Sequence, residues 1–266
     1  MKKKTSIIIT TYNSPDALRI VLQSLLLQSV MPAEIIIADD GSTSETQDLV
    51  KEFVPLFPIP VRHCWQEDAG FRLSASRNKA IAMSTADYII MVDGDMVLHK
   101  NFIRDHIRTA KTGKFVQGPR AKVSEQLTRQ IFSLQRLPVL HCLSKGVKKR
   151  FNACRCRPLS ILYSALFSKQ THALVRGCNM AFWRKDVIAI NGFNEAFVGW
   201  GREDNEFAAR MLNSGIKRNN LRLGGVAYHL HHKENSRPTL DVNDRLLEQT
   251  VSGHLAYCSL GINQYL

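Results

Sequence analysis

The sequence has no long apolar run. After the basic start Met1-Lys2-Lys3-Lys4 the first hydrophobic stretch is only Ile7 to Ile9, and no segment approaches the ~20 apolar residues of a spanning helix. A secretory leader and a membrane span are therefore not expected, and the expected compartment is the cytoplasm. Cysteine pairs at metal-site spacing are missing as well. The six cysteines are Cys64, Cys142, Cys154, Cys156, Cys178 and Cys258, and no second pair follows Cys154-Arg155-Cys156. This argues against a zinc ribbon or a disulfide framework. Acids are scarce in one region. Residues 100–176 hold 17 Lys and Arg but only two acids, Asp105 and Glu125, while the rest of the chain carries 19 basic and 21 acidic residues. The excess behind the net charge of +13 thus sits mid-chain, where it suits an anionic partner: phosphate, a phospholipid surface or nucleic acid.

What the 266 residues do contain is an alternation of strand and helix patterns, in a chain long enough to bury a substantial core. The apolar runs Ser6–Thr10, Glu34–Ala38, Val61–Trp65 and Tyr88–Val92 read as strands. Leu18, Val21, Leu22, Leu25 and Leu26 fall at helical spacing, and Thr43–Phe53 and Ser74–Met83 also read as helices. Almost wholly apolar strands alternating with helices predict an α/β fold, its mostly parallel sheet covered on both faces. Beyond residue 100 the pattern predicts a helix over Asn101–Lys111, a strand over Phe115–Gly118 and an amphipathic helix over Gln126–Leu140. A basic irregular stretch (Lys145–Arg157) and a short helix (Ser160–Lys169) follow. Regular order resumes with a strand at Cys178–Trp183, helices at Arg184–Ile190 and Glu203–Ser214, and a strand at Gly225–Leu230.

In such sheets ligands bind beyond the carboxyl ends of the strands. Thr11-Tyr12-Asn13, Asp39-Asp40 and Asp93-Gly94-Asp95 all fall at those ends. Two carboxylates flanking a glycine suit Mg²⁺ or Mn²⁺, although the same residues are ordinary turn formers. Asp39-Asp40-Gly41-Ser42 reads either as a turn with a helix cap or as carboxylates meeting a base or ribose. Gly199-Trp200-Gly201-Arg202-Glu203-Asp204 is more specific: an aromatic between glycines suits a sugar ring, and paired carboxylates open the next helix. Tyr228-His229-Leu230-His231-His232 offers imidazoles, with His229 and His231 on one side of a strand. Arg72, Arg77 and Asn78 either meet phosphate or form an exposed helix face.

Taken together, these residues resemble family 2 inverting glycosyltransferases of the GT-A fold. The similar segments are Ser6 to Asn13, Ile35 to Ser42, Gly70 to Ala80, Tyr88 to Asp95, Gly177 to Phe193 and Gly199 to Phe207. Gly199 to Asp204 is also similar to the Trp-Gly-Gly-Glu-Asp segment of beta-1,4-galactosyltransferases and chondroitin-type polymerases, with Arg202 where a glycine is usual. The resemblance implies a UDP-sugar donor, a divalent metal (Mn²⁺ or Mg²⁺) and a saccharide or lipid-linked acceptor in bacterial surface-polysaccharide synthesis. It implies that Thr10, Tyr12 and Asp40 hold the nucleoside and that Arg77 and Asn78 lie near diphosphate or ribose. Asp95 would bind metal with Asp93 as helper and His229 or His232 completing the site. Trp200 would meet the acceptor, Glu203 would bind acceptor or donor hydroxyls, and Asp204 would be the base.

On this reading residues 1–98 form the nucleotide-sugar half, 99–176 a basic insertion and 177–266 the acceptor and catalytic half, within one GT-A domain. The insertion is expected to dock on an anionic membrane, placing the enzyme peripherally at the inner face of the plasma membrane. A basic nucleic-acid-binding protein is the competing class, but the basic stretch lacks regularly interleaved aromatics. A nucleotidyltransferase would call for a glycine-rich basic loop where this chain has Thr10-Thr11-Tyr12-Asn13.

Overall fold

A computed structural model describes residues 3–233 and 238–266. The first half follows the expected alternation: β1 (Thr5–Thr11), α1 (Pro15–Leu26), β2 (Glu34–Asp39), α2 (Ser44–Phe53), β3 (Val61–Trp65), α3 (Leu73–Met83) and β4 (Tyr88–Asp93). Then come β5 (Met96–Leu98), α4 (Phe102–Thr109), β6 (Lys114–Gln117), β7 (Ala121–Val123), α5 (Glu125–Leu134), β8 (Val147–Lys148) and α6 (Arg157–Phe167). The chain closes with β9 (Asn179–Trp183), α7 (Arg184–Ala189), α8 (Glu203–Asn213), β10 (Lys217–Asn220), β11 (Ala227–His229) and α9 (Leu240–Ser252).

The main sheet has seven strands in the order β10-β6-β9-β4-β1-β2-β3, and only β9 runs against its neighbours. In-register isoleucines build its centre, with Ile7 beside Ile35 and Ile90, and Ile8 beside Ile36 and Met91. Alternate side chains point to opposite faces. Ile7, Ile9, Ile35 and Ile37 therefore meet α1 and α2, while Ile8, Ile36, Ile89 and Met91 join Ala80 and Ile81 of α3 with Phe193 and Phe207. Burial on both faces is why these strands read as continuous apolar runs.

The middle of the chain departs from expectation. The helix expected to reach Leu140 ends at Leu134, because Gln135 takes a left-handed conformation (φ 45°) and closes the last turn. The stretch read as irregular contributes β8 and a short 3₁₀ turn at Arg150–Ala153. A second sheet, in the order β5-β11-β7-β8, is made of strands two or three residues long, too short for an alternation to show in the sequence. Within it His229 pairs across with Met96 on one side and Lys122 on the other.

Asn179 joins the two sheets. It is fully buried in β9, and its Nδ2 donates to the Pro119 carbonyl at 2.8 Å and the Gly225 carbonyl at 3.0 Å. Those carbonyls lie on the segments leading into β7 and β11. Its Oδ1 accepts from His106 Nε2 at 2.9 Å, and burial holds that imidazole neutral by pushing its pKa down to about 4. Asn179→Ala strands three buried polar partners at once. The expected cost is about 2–4 kcal/mol, read as a lower urea midpoint at unchanged slope.

Candidate functional site

The carboxyl end of β4 is held hard against that of β1. Gly94 donates its N–H to the Thr10 carbonyl at 2.7 Å, and a Cβ on it would sit 2.6 Å from that oxygen. Only glycine fits between the two aspartates. Asp93 stays on the β1 side, where its Oδ1 accepts from Thr10 Oγ1 at 3.1 Å. Asp95 instead turns towards β11, and its Oδ2 lies 3.3 Å from both His229 Nε2 and His232 Nε2. β11 stops at His229, so strand alternation does not carry to His231, whose N–H bonds Thr128 Oγ1 instead.

The electrostatics of this trio suit a cation. Asp95 Oδ1 is buried without a hydrogen-bond donor, and burial followed by the charge of Asp93 pushes its pKa up to about 8. Burial, then Arg120, pushes His229 down to about 3, leaving a neutral ring with a lone pair. His232 Nδ1 lies 2.7 Å from the Lys233 carbonyl and donates to it, which leaves Nε2 as an acceptor facing Asp95. One carboxylate and two imidazoles, with ligand atoms all within 4.8 Å of one another, fit a first-row divalent cation such as Mn²⁺ and not Mg²⁺, which takes oxygen ligands.

A second acidic group faces the first. Glu203 and Asp204 open α8, preceded by Arg202 in a left-handed conformation (φ 76°). Gly177 donates its N–H to Asp204 Oδ2 at 2.8 Å. Burial, then the charge of Glu203, pushes Asp204 up to about 7. Between the groups lies Arg77 of α3, fully buried over the Phe193 ring. Its Nη1 is 3.3 Å from Glu203 Oε1 and its Nη2 is 3.6 Å from Asp93 Oδ1. Gly177 leaves room for it, since a Cβ there would come within 2.5 Å of Nη2. The sequence pointed to Arg77 only as a phosphate contact or an exposed face; here it is the internal counter-ion of the acids.

Asn78 stands apart from this cluster. Its amide is buried and spent on the Phe193 N–H and carbonyl and on Glu195, so it fixes a turn instead of facing a donor. Asp40 is also buried and accepts from Gln66 Nε2 at 2.6 Å and the Arg72 N–H at 2.9 Å. Tyr12 remains exposed and donates to Asp68 Oδ2 at 2.9 Å, and Trp65 stays exposed at the end of β3. Neither Asp68 nor Trp65 carries a motif that would single it out in the sequence. The Trp200 loop is pinned from several sides. Gly199 donates to the Phe71 carbonyl at 3.0 Å, Thr239 Oγ1 to the Val198 carbonyl at 2.9 Å, and Asn243 of α9 to the Gly201 carbonyl at 2.9 Å. Arg202 is ion-paired with Asp244, also on α9.

Solved structures place this architecture among the GT-A glycosyltransferases. S. aureus TarS in complex with UDP-GlcNAc matches with a TM-score of 0.65 at 14% identity, over 98% of this chain and 69% of that one. The mannosyltransferase PcManGT from Pyrobaculum calidifontis, in complex with GDP-Man and Mn²⁺, matches with a TM-score of 0.57 at 14% identity, over 96% and 72%. The chain belongs to glycosyl transferase family 2, whose family model matches residues 6–187. Residues 157–233 also match the model for the N-terminal domain of galactosyltransferase. Among curated relatives, the chondroitin synthase of Escherichia coli is 27% identical over 84% of this chain and 34% of that protein. The hyaluronan synthase of Pasteurella multocida is 27% identical over 79% and 23%. The chain therefore spans about a third or less of the length of these synthases.

The raised pKa of Asp95 has a stability consequence. A carboxyl protonated more readily in the folded than in the unfolded state costs stability as pH rises from about 4 to about 8. In chelator, Asp95→Asn should raise the melting temperature at pH 8.5, by the equivalent of roughly 1–3 kcal/mol. The gain should vanish by pH 4. A thermal-melt series across pH checks both ends.

Proposed function

We propose that this family 2 enzyme is a metal-dependent inverting transferase. On this reading it moves a hexose or N-acetylhexosamine from a UDP-sugar to a saccharide or lipid-linked acceptor in the synthesis of a bacterial surface polysaccharide or lipopolysaccharide. The observation that carries the reading is the meeting of two acidic groups around one buried Arg77, one group suited to a cation and the other to a proton. Among its relatives, the synthases of chondroitin and hyaluronan support a saccharide acceptor, and the UDP-GlcNAc held by TarS supports a UDP-sugar.

Thr10, Tyr12 and Asp40 edge the nucleoside side, at the ends of β1 and β2. Asp95, His229 and His232 would hold the divalent cation, assisted by Asp93. When bound, such a cation offsets the negative charge that grows on the departing diphosphate. The remaining work falls to the protein's own groups. Trp200 offers a face for a sugar ring, and Glu203, steadied by Arg77, accepts hydrogen bonds from sugar hydroxyls. Asp204 takes the proton of the attacking hydroxyl as that oxygen bonds to the anomeric carbon. A pKa near 7 suits a base that must be ionised before reaction and protonated after it. A single displacement from the face opposite the leaving group inverts the anomeric centre.

A donor screen by nucleoside-diphosphate release, with and without Mn²⁺, should give turnover with a UDP-sugar and little in chelator. Asp204→Asn is expected to lower kcat by about 10²–10⁴-fold while leaving the UDP-induced melting shift intact. Near-normal turnover by a folded Asp204→Asn protein would remove the base assignment. As pH falls below about 7, kcat/KM should decline as Asp204 becomes protonated. Asp95→Ala should abolish the Mn²⁺-induced rise in melting temperature, a readout that needs no substrate.

A further inference from the structure

Helix α6 packs with its polar side inward. Ser160 is buried, Ser164 Oγ donates to Asn219 Oδ1, and Ser168 Oγ donates to the Ser164 carbonyl and accepts from the Asn220 N–H. Serines at every fourth position make a hydroxyl stripe that seats the helix against β10. The apolar side chains face away from the protein: Leu159 is 52% exposed, Ile161 63%, Leu162 54%, Leu166 64% and Phe167 56%. Phe151, just before the helix, and Leu174, just after it, are exposed too. A helix of a soluble protein turns the other way, and a contiguous outward apolar face marks a contact surface.

Charge indicates what covers it. Between Glu125 and Asp186 the chain holds twelve Lys and Arg and no acid. Lys148, Lys149 and Arg150 adjoin Phe151, Arg157 opens the helix, and Lys169 lies just beyond its end. Lys149 itself lies among further cations: burial, then the fields of Arg176, Lys122, Arg120 and Arg222, push its ammonium below the usual lysine range. A second copy would bring like charge against like, and a nucleic acid would leave the apolar face uncovered. An anionic bilayer satisfies both features. The 11-residue helix is about 16 Å long, and among the described residues no helix is long and apolar enough to cross a membrane. Such a helix lies flat in the interface.

We propose that α6, with Phe151 and Leu174, seats the protein on an anionic membrane, its apolar face among the acyl chains and the flanking Lys and Arg on the headgroups. The same surface leads to the carboxylate pair. Asn205 of α8 donates to the carbonyl of His172, and Gly177, three residues after Leu174, donates to Asp204. An acceptor presented by the bilayer would thus enter on the side of Glu203 and Asp204.

Flotation of the full chain with vesicles tests this, using phosphatidylcholine alone or with phosphatidylglycerol added. The expected result is binding to the anionic vesicles, weakened about tenfold or more by high salt and by Leu162→Glu with Leu166→Glu, at an unchanged melting temperature. Should that pair disturb folding, Ile161→Ser with Leu166→Ser carries the same expectation. Equal flotation of parent and folded variant would overturn the proposal, as would equal binding to neutral vesicles. Absence of vesicle binding, with a concentration-dependent dimer in sedimentation velocity, would overturn it in favour of a second copy.

Discussion

One buried guanidinium allows the rest of the site to exist. Asp93, Asp95, Glu203 and Asp204 crowd a partly buried crevice, and Asp95 and Asp204 both have their pKa values pushed up by burial and a neighbouring acid. Arg77 sits between Asp93 and Glu203, and a buried charge of this kind persists only while it is paired. The dependence is mutual, because the acids need the cation and the cation needs the acids. The next residue, Asn78, fixes the backbone of Phe193, whose ring lies under the guanidinium. α3 therefore sets the counter-ion and its support together, and the crevice forms only when β4, α3, α8 and the Gly177 loop have all assembled.

Much of this was legible in the sequence, for a physical reason. Strands buried on both faces must be apolar throughout, so β1, β2 and β4 announce themselves, and polar residues that follow them fall at the ligand-binding edge. Asp93 and Asp95 stand out in that way, whereas Glu203 and Asp204 stand out as paired carboxylates that open a helix just after the glycine-flanked Trp200. Other features rested on contacts that local pattern does not encode. Whether Arg77 is an exposed face or a buried counter-ion depends on α8, far along the chain. His231 shares strand alternation with His229, yet His232 reaches Asp95 because the strand ends first. The second sheet hides in two- and three-residue strands, and α9 matters through Thr239, Asn243 and Asp244, which steady a loop that precedes them.

Arg202 illustrates a departure that the structure accommodates. Glycine adopts φ 76° freely, whereas a side chain there costs on the order of 1–2 kcal/mol. The ion pair with Asp244 and the hydrogen bonds from α9 hold the loop in that shape. The unusual residue and the C-terminal helix belong to one arrangement, and the Trp200 loop receives its form from both.

The link between Asp93 and Met96 is two residues long, yet it is where the large sheet ends and the small sheet begins. Gly94 is locked to Thr10 on one side, while the Asp95 carbonyl accepts from the Leu230 N–H on the other. Those two residues therefore tie two slabs of backbone together. The placement of the two carboxylates relative to each other thus follows from how the two sheets are set. Asn179, bridging the slabs away from that junction, is a second tie that fixes the same arrangement through side-chain hydrogen bonds.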